Sequence, residues 1–368
     1  MRYYIIAGEA SGDLHGSNLI KEIKHLDGQA VIRCWGGDMM ENAGGQLVKH
    51  YRQLAFMGFI EVIKNLPAIL KNLQFCKEDI LQFNADVLVL IDYPGFNLRI
   101  AEWAKAQGLK IVYYISPQVW AWKENRVKKI KACVDKMLVI LPFEKAFYRK
   151  WNYETEYVGH PLVEVIAQEK LKIPEQRFSA KPIIALLPGS RQQEILKKLP
   201  IMLEVSAFFP AYQFIVAKAP GMEDGFYEAL LQPYANVSSV RGQTYQLLLQ
   251  SKAALVTSGT ATLETALFGV PEVVCYKGSN VSYQIAKRLI KVKYISLVNL
   301  IMDRLVVKEL IQDELTAVNL QKELYEILTN PACIAQLQHD YQELTQKLSE
   351  GGYASANAAK SIVSFIRH

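Results

Sequence analysis

The 368-residue chain is longer than one compact core normally supports, and its length is typical of a protein with two domains. Hydrophobic residues make up 51% and charged residues 21%, a globular composition that excludes a largely disordered chain. The formal net charge of +6 arises from 42 Lys and Arg against 36 Asp and Glu. Nucleic-acid-binding proteins usually carry a denser basic patch, so this mild excess predicts no nucleic-acid partner.

The cysteines are far apart in sequence and form no CxxC or Cys/His motif: Cys34, Cys76, Cys133, Cys275 and Cys333. We therefore predict reduced, structural thiols in a reducing compartment. The chain opens on an apolar run, Arg2–Ala7, which predicts a buried strand rather than an export signal. No apolar run approaches the about 18 residues that span a membrane, so we expect a cytoplasmic protein without such a helix.

In the first half of the chain, short apolar runs alternate with longer amphipathic stretches, as in βαβ units around a mostly parallel sheet. Helices are predicted between the runs, for example over Ser17–Lys24 and Glu124–Ala132. The strands are predicted at Tyr3–Ala7, Val31–Cys34, Val87–Ile91, Ile111–Ile115 and Met137–Ile140.

A second series of strands is predicted at Ile183–Leu187, Phe214–Ala217, Val237–Val240, Ala254–Thr257 and Val273–Tyr276. The stretch Pro161–Pro182 separates the two series and is interpreted as the inter-domain connection. We expect an α/β protein with Rossmann-like domains at residues 1–165 and 166–345, and a C-terminal helix within 346–368 that packs on the first domain. Ligands of doubly wound sheets bind at the carboxyl ends of the strands, so the two domains are expected to face a shared cleft.

The segment Gly8–Gly16 follows the first strand and carries three glycines together with Glu9, Ser11, Asp13 and His15. Glycines let a backbone approach a ligand, and a following helix offers free amides. The spacing is not that of the GxGxxG dinucleotide motif. A tight strand-to-helix turn explains the glycines equally well, but it does not require so many polar side chains.

Asp92 directly follows the strand Val87–Ile91, in the segment Asp92-Tyr-Pro-Gly-Phe-Asn97. A carboxylate at the end of a strand is placed to accept a proton from an attacking hydroxyl. The alternative is that Asp92 caps the turn that Pro94-Gly95 favours.

Two segments of the second half are candidates for binding a diphosphate. In Leu187-Pro-Gly-Ser-Arg191, Gly189 turns the chain, a helix is predicted from about Gln192, and Arg191 adds a positive charge. In Thr257-Ser-Gly-Thr-Ala-Thr-Leu-Glu264, the residues Ser258, Gly259 and Thr260 offer amides and hydroxyls, and Glu264 could hold a ribose diol. The alternatives are an N-cap at Ser190, a surface charge at Arg191 and a buried Glu–Lys pair at Glu264.

Other chemistries lack their motifs. The sequence has no DxD, no HExxH and no cysteine cluster, so no metal site and no cofactor are predicted. It also lacks the GxSxG motif of serine hydrolases and the GxxxxGK[ST] loop of many ATPases.

Residues 56–70 form a nearly all-apolar stretch with helical spacing, which predicts either a core helix or a membrane-facing helix. Basic residues follow later at Lys123–Lys131 and Lys145–Lys150, and a solvated helix face would explain those too. The candidates for contact with acyl chains or a bilayer are Phe56, Met57, Phe59, Ile60 and Ile63.

Taken in order, these motifs resemble the lipid-A-disaccharide synthase family from the first strand to about Glu309. The match rests on the ordered set, above all on Ser116-Pro-Gln-Val-Trp-Ala-Trp122. The others are Ala7-Gly-Glu-Ala-Ser-Gly-Asp13, Met57-Gly58, Asp92-Tyr-Pro-Gly-Phe-Asn97, Gly159-His-Pro161, Leu187-Pro-Gly-Ser-Arg191 and Ser258-Gly-Thr-Ala-Thr-Leu-Glu264.

The resemblance implies an inverting glycosyltransferase of the GT-B type. Its donor would be UDP-2,3-diacylglucosamine and its acceptor 2,3-diacylglucosamine 1-phosphate, at the inner-membrane surface. The products would be UDP and the β(1→6) lipid A disaccharide phosphate. It further implies that Asn299 lies near the nucleotide, together with Arg191, Ser258–Thr260 and Glu264. The acceptor would bind the first domain.

One position departs from the family, which commonly reads Asp-x-Pro-Asp-Phe-Asn where this chain has Gly95. Because the second Asp is a favoured general base in the family, that role falls here to Asp92, or to Asp13 or another acid of the first loop. A UDP-N-acetylglucosamine 2-epimerase would share the fold and the diphosphate segments, and it is the alternative function. A non-catalytic binding protein and a dehydrogenase fit less well. The oligomeric state is left open by the sequence.

Overall fold

A computed structural model of the protein describes residues 1–54, 66–122, 124–174, 176–279 and 292–367. The apolar segment with Phe56, Met57, Phe59, Ile60 and Ile63 lies outside the described residues. The chain forms two compact units. The first comprises Met1–Pro161 and Leu348–His368, and the second comprises Leu162–Lys347.

The first unit is built on a parallel sheet in the order β3-β2-β1-β4-β5-β6-β7. This is the doubly wound arrangement, in which the strand order reverses between β1 and β4. Val87–Ile91 is buried at every position, as a strand covered by helices on both faces requires. The strands are β1 Arg2–Ala7, β2 Val31–Gly36, β3 Gln46–His50, β4 Val87–Ile91, β5 Lys110–Tyr114, β6 Lys136–Val139 and β7 Glu156–Tyr157.

Helices of the first unit cover both faces of this sheet. They are α1 Ala10–Leu26, α2 Asp38–Asn42, α3 Leu66–Phe83, α4 Pro94–Ala106, α5 Val119–Trp122, α6 Arg126–Cys133 and α7 Glu144–Arg149, with a 3-10 turn at Tyr51–Gln53. The C-terminal helix (Ala354–Arg367) also belongs to this unit. Its Ala358, Ile362 and Val363 enter the same apolar cluster as Leu19 and Ile23 of α1.

The second unit has a parallel sheet in the order β10-β9-β8-β11-β12-β13. Its strands are β8 Ile183–Leu187, β9 Gln213–Lys218, β10 Val237–Arg241, β11 Ser251–Thr257, β12 Glu272–Tyr276 and β13 Lys308–Ile311. After α8 (Pro161–Lys170), its helices are α9 Gln192–Ser206, α10 Asp224–Leu231, α11 Thr244–Gln250, α12 Thr260–Phe268, α13 Leu297–Met302, α14 Ala317–Thr329 and α15 Pro331–Ser349, with a 3-10 turn at Gln312–Glu314. The C-terminal helix of the first unit is therefore α16.

Every strand predicted from the apolar runs is present, and the described residues contain three further strands that were not predicted: Gln46–His50, Glu156–Tyr157 and Lys308–Ile311. These three are edge strands of their sheets. Edge strands are covered less completely, so they are short or carry polar residues and give no continuous apolar signal. Among the described residues, no helix is long and apolar enough to cross a membrane.

The first loop is shorter than the glycines suggested, because α1 already begins at Ala10. The helix predicted over Ser17–Lys24 thus extends about two turns further towards the N-terminus. Gly12 and Gly16 serve close packing rather than a turn. A Cβ at Gly16 would lie 2.6 Å from the sulfur of Met40, and one at Gly12 would lie 3.0 Å from the Cβ of Ala7.

Candidate functional site

In the first unit, two connections meet at the carboxyl ends of the adjacent strands β1 and β4. Gly8 and Glu9 form the first connection, and Asp92 and Tyr93 form the second. The Tyr93 ring lies so close to Gly8 that a Cβ there would be 2.3 Å from the ring. Glycine is therefore required at position 8 by this contact.

Asp92 and Tyr93 both have left-handed backbones, with φ values of 43° and 48°. Two consecutive non-glycine residues in this region are strained by about 1–2 kcal/mol each. Two hydrogen bonds hold the strained backbone, because the Asp92 carbonyl accepts from the Tyr113 hydroxyl at 2.5 Å and from the Asn97 amide at 2.8 Å. Tyr93 also stacks on Phe96. Strain held by surrounding groups is typical of functional sites.

The environment of Asp92 suits a general base. Burial raises its pKa from 3.8 to about 6, and the nearby Glu9 carboxylate adds to the rise. A carboxylate with this pKa is ionised at neutral pH and is a stronger base than an ordinary Asp. Glu9 itself is exposed, and so is Ser11.

Asp13 is a helix cap rather than a free base. It is 3% exposed, and its carboxylate accepts from three backbone amides: Gly37 at 2.8 Å, Met40 at 3.0 Å and Met39 at 3.2 Å. These amides begin α2, so the charge of Asp13 lies where a helix N-terminus favours an anion. Three of the roughly four acceptor positions of the carboxylate are thus occupied, so we assign Asp13 to capping α2 and keep Asp92 as the candidate base.

This assignment predicts that Asp13→Ala lowers stability. The substitution leaves three amides without an acceptor and should lower the free energy of unfolding by about 2–3 kcal/mol. Asp13→Asn retains one acceptor oxygen and should lower it by less. Urea unfolding measures both. If Asp13→Asn kept full stability but abolished activity, Asp13 rather than Asp92 would be the proton acceptor.

Gly95, the position at which the chain departs from the motif of the family it resembles, has open space around it. It is exposed in the first turn of α4, and a Cβ there would meet no atom within 4 Å. Gly95→Asp should therefore stabilise the protein by about 1 kcal/mol, since it removes a helix glycine and adds a charge near the helix N-terminus. The added charge should also move the acidic limb of the pH–rate profile to higher pH. A lower midpoint of thermal unfolding for Gly95→Asp than for the unaltered protein would contradict this account.

His15 and His160 are buried imidazoles. Burial lowers their pKa values to about 4 and about 3, and His160 is lowered further by the proximity of His15. Both are therefore neutral at neutral pH. Neither carries the positive charge that would bind a phosphate.

The segment Ser116–Trp122 is fixed by the segment that follows β6. Ser116 forms a 2.7 Å hydrogen bond with the Tyr148 hydroxyl, and Trp120 packs edge-on against Phe143 with ring centroids 4.9 Å apart. Burial raises the pKa of the neighbouring Glu144 to about 7. These contacts hold the segment that follows β5, the strand next to the one that Asp92 follows.

The second unit has a cavity of about 340 Å³ at the carboxyl ends of β8, β9 and β11. Four of the predicted site residues line it, namely Ser258, Gly259, Thr260 and Glu264. The remaining lining residues are Leu187, Gly189, Ser190, Glu194, Ala217, Lys218, Ala219, Pro220, Thr244, Thr257 and Ala261.

The opening of α12 gives this cavity its donors. Gly259 precedes the helix with a φ of 154°, so Ser258–Thr260 bring backbone amides to its N-terminus. The Ser258 hydroxyl donates to the Ile295 carbonyl at 2.8 Å. Glu264 lies one turn into the helix and accepts from the Tyr245 hydroxyl at 2.8 Å, and burial raises its pKa.

Arg191 does not line this cavity. It precedes α9, its side chain is 65% exposed, and its guanidinium lies 3.6 Å from the carboxylate of Glu194, which does line the cavity. So exposed an ion pair is weak, and the side chain is free to turn towards a bound anion.

Asn299 is a buried structural residue in this unit. Its amide nitrogen donates to Val307 and Glu309, each at 2.8 Å, and its oxygen accepts from the amides of Val306 and Val307. Every polar atom of the Asn299 side chain is occupied, and Asn299 does not line the cavity. We therefore assign it to stabilising the connection between α13 and β13 rather than to binding the nucleotide.

Lys218, Thr244 and Tyr245 were not predicted as site residues. Lys218 lines the cavity at the last position of β9, just beyond the strand predicted over Phe214–Ala217. A charged residue directly after a predicted buried strand, such as Lys218, could have been recognised as a candidate site residue. Within the described ranges, no group of three or more His, Cys, Asp or Glu side chains could hold a metal ion.

Comparison with known proteins gives a consistent result. The family described as lipid-A-disaccharide synthetase matches residues 3–363. The lipid-A-disaccharide synthase of Geobacter metallireducens is 38% identical over 364 residues, covering 95% of this chain and 94% of the relative. Lipid-A-disaccharide synthase 1 of Legionella pneumophila (strain Lens) is 37% identical over 358 residues, covering 95% and 93%.

Solved structures of low sequence identity share the fold. The UDP-GlcNAc 2-epimerase of Neisseria meningitidis, bound to UDP-GlcNAc, has a TM-score of 0.65 at 13% identity and covers both chains fully. The glycotransferase of kitacinnamycin has a TM-score of 0.66 at 13% identity and covers 99% of this chain and 98% of its own. The prediction of two Rossmann-like domains of the GT-B type is thereby confirmed. Transferases and epimerases both have this fold, so it does not by itself separate the two activities.

Proposed function

Because the chain belongs to the lipid-A-disaccharide synthase family, we propose that it transfers a hexosyl group from UDP-2,3-diacylglucosamine to 2,3-diacylglucosamine 1-phosphate. The products are UDP and the β(1→6)-linked lipid A disaccharide phosphate. The observation that carries the proposal is the family match over nearly the whole chain. It favours the transferase over the epimerase, whose likeness is confined to the fold.

We assign the UDP part of the donor to the cavity in the second unit. The amides of Ser258–Thr260 face it from a helix N-terminus, where a phosphate is stabilised by donors and by the helix dipole. Glu264 is partly buried in the cavity and offers a carboxylate to the ribose diol. Arg191, exposed beside Glu194, is assigned to the diphosphate.

We assign the chemistry of the first unit to Asp92. Its carboxylate removes the proton from the 6-hydroxyl of the acceptor, and the oxygen attacks the anomeric carbon of the donor. The bond from that carbon to the diphosphate oxygen breaks on the opposite face, and UDP leaves with the bonding electrons. Arg191 and the helix-end amides stabilise the charge that develops on the diphosphate.

Both substrates carry acyl chains, so we propose that the enzyme works peripherally at the cytoplasmic face of the inner membrane. The support is the apolar composition of the segment with Phe56, Met57, Phe59, Ile60 and Ile63. The helix α3 that follows it leaves Leu70 55% exposed. Apolar side chains at a surface are suited to acyl chains.

A transfer assay on the full chain in detergent tests the proposal. The protein receives UDP-2,3-diacylglucosamine with and without 2,3-diacylglucosamine 1-phosphate, and the products are read by mass spectrometry. We expect a disaccharide phosphate that requires both lipids and forms at equal yield with a chelator present. Conversion of UDP-N-acetylglucosamine to its C2 epimer, with no disaccharide, would overturn the proposed function and leave the fold unchanged.

A further inference from the structure

Lys218 is the lysine that lines the nucleotide cavity. It ends β9 at the carboxyl edge of the sheet, and its side chain is 13% exposed. Its ammonium group lies 2.6 Å from a carboxylate oxygen of Asp224, which is 59% exposed. Lys218 is therefore a mostly buried part of the cavity wall, whereas its partner Asp224 is mostly exposed and does not line the cavity.

Asp224 has a second cationic partner. The same carboxylate oxygen accepts from Arg241 at 2.9 Å. Hydrogen bonds from Lys218 and Arg241 lower the pKa of Asp224 to about 2, so it is ionised throughout the neutral range. Arg241 also donates to the Met222 carbonyl at 2.6 Å and thereby holds the segment between β9 and α10 in place.

This arrangement lets Lys218 leave Asp224 at little cost. Arg241 would remain on the carboxylate and on the backbone of the segment, so Asp224 would not be left without a partner. The flexible four-carbon stem of lysine allows its ammonium group to turn by a few ångströms. A diphosphate in the cavity carries more negative charge than one carboxylate and would attract the ammonium more strongly.

We propose that Lys218 is a phosphate-binding residue of the nucleotide site, which exchanges its ion pair with Asp224 for the diphosphate of the donor. This inference rests on the proposed function, because it takes the UDP portion to occupy this cavity. It gives the site a cation built into its wall, in addition to the exposed Arg191. Asp224 competes with the ligand, and Arg241 keeps Asp224 paired after the exchange.

Isothermal titration of the full chain with UDP, UMP and uridine tests the exchange. Lys218→Met keeps the aliphatic stem and removes the charge. It should weaken UDP binding about tenfold to a hundredfold, as expected for loss of a charged hydrogen bond, and should leave uridine binding unchanged. Asp224→Asn removes the competing charge and should bind UDP at least as tightly as the unaltered chain. Lys252→Met, at an exposed position outside the cavity, is the matched control and should change neither affinity.

The outcomes separate this inference from the proposed function. If the unaltered chain binds no UDP, the proposed function fails. If it binds UDP and Lys218→Met binds equally well, only the role of Lys218 is overturned. An equal loss of UDP and uridine affinity would also overturn it, because it would indicate a general disturbance of the cavity. Should Lys218→Met not fold, Asp224→Asn decides, since a tenfold weaker affinity for UDP would contradict the exchange.

Discussion

Asp92→Asn is expected to lower kcat by about 10²–10⁴, which is the usual contribution of a positioned general base. The amide keeps the shape of the side chain but accepts no proton from the acceptor hydroxyl. UDP affinity should be unchanged, because the cavity assigned to UDP lies in the other unit. Wild-type turnover in Asp92→Asn, with the transfer assay above, would rule out Asp92 as the base.

The pH dependence gives the same hypothesis a second test. With Asp92 as the base, kcat/KM should rise with pH and level off above an apparent pKa of about 6. Glu9→Gln removes a neighbouring negative charge, so it should move this limb to lower pH. A limb near pH 4 in the unaltered enzyme would indicate a different, solvent-exposed carboxylate.

The raised pKa of Asp92 also has a consequence for stability. The fold favours the protonated carboxyl, so this stabilising effect is present below the unfolded pKa of 3.8 and is lost as pH rises through about 6. Asp92→Asn should therefore be more stable than the unaltered protein at pH 8, by about 1–2 kcal/mol, and the difference should vanish towards pH 4. Thermal unfolding at both pH values measures it.

Arg191→Ala is expected to keep the fold and lose most of the transfer activity, by about 10²–10³ in kcat. The side chain is 65% exposed and its ion pair with Glu194 is long, so stability should change by no more than about 0.5 kcal/mol. The activity falls because one cation that meets the developing charge on the diphosphate is gone.

Lys197→Ala is the matched control for this substitution. Lys197 is an exposed cation on α9, the helix that Arg191 precedes, and it does not line the cavity. Its removal should leave kcat within a factor of about two. Equal losses in the two variants would attribute the effect to net charge on α9, and full activity of Arg191→Ala would remove the role assigned to it.

The fold was largely predictable because buried parallel strands are continuously apolar. Val87–Ile91 and Ile183–Leu187 are buried at every position, and such continuously apolar runs are readily recognised in a sequence. The first turns of α1 were not predicted, because Gly12 and Gly16 are typical of loops. Their role is set by Ala7 and Met40, and such contacts form only when the chain folds.

The candidate site was predictable to the extent that strand ends mark it. Asp92 directly follows β4, and Ser258 directly follows β11 at the start of the segment that leads to Glu264. Asp92 and Glu264 are each partly buried. The roles of Asp13 and Asn299 depend on which backbone amides and carbonyls lie opposite them. Those partners are 24 or more residues away for Asp13, so no local pattern indicated a cap.

The order in which the chain is made gives the position of α16 a further meaning. The second unit is complete once Lys347 has been synthesised, whereas the first unit still awaits Leu348–His368. Until then the surface of α1 around Leu19 and Ile23 lacks the apolar contacts that Ala358, Ile362 and Val363 of α16 supply. The first unit therefore begins to be synthesised before the second unit but is completed after it. Its nascent form exposes apolar surface of α1, which is the kind of surface that chaperones bind.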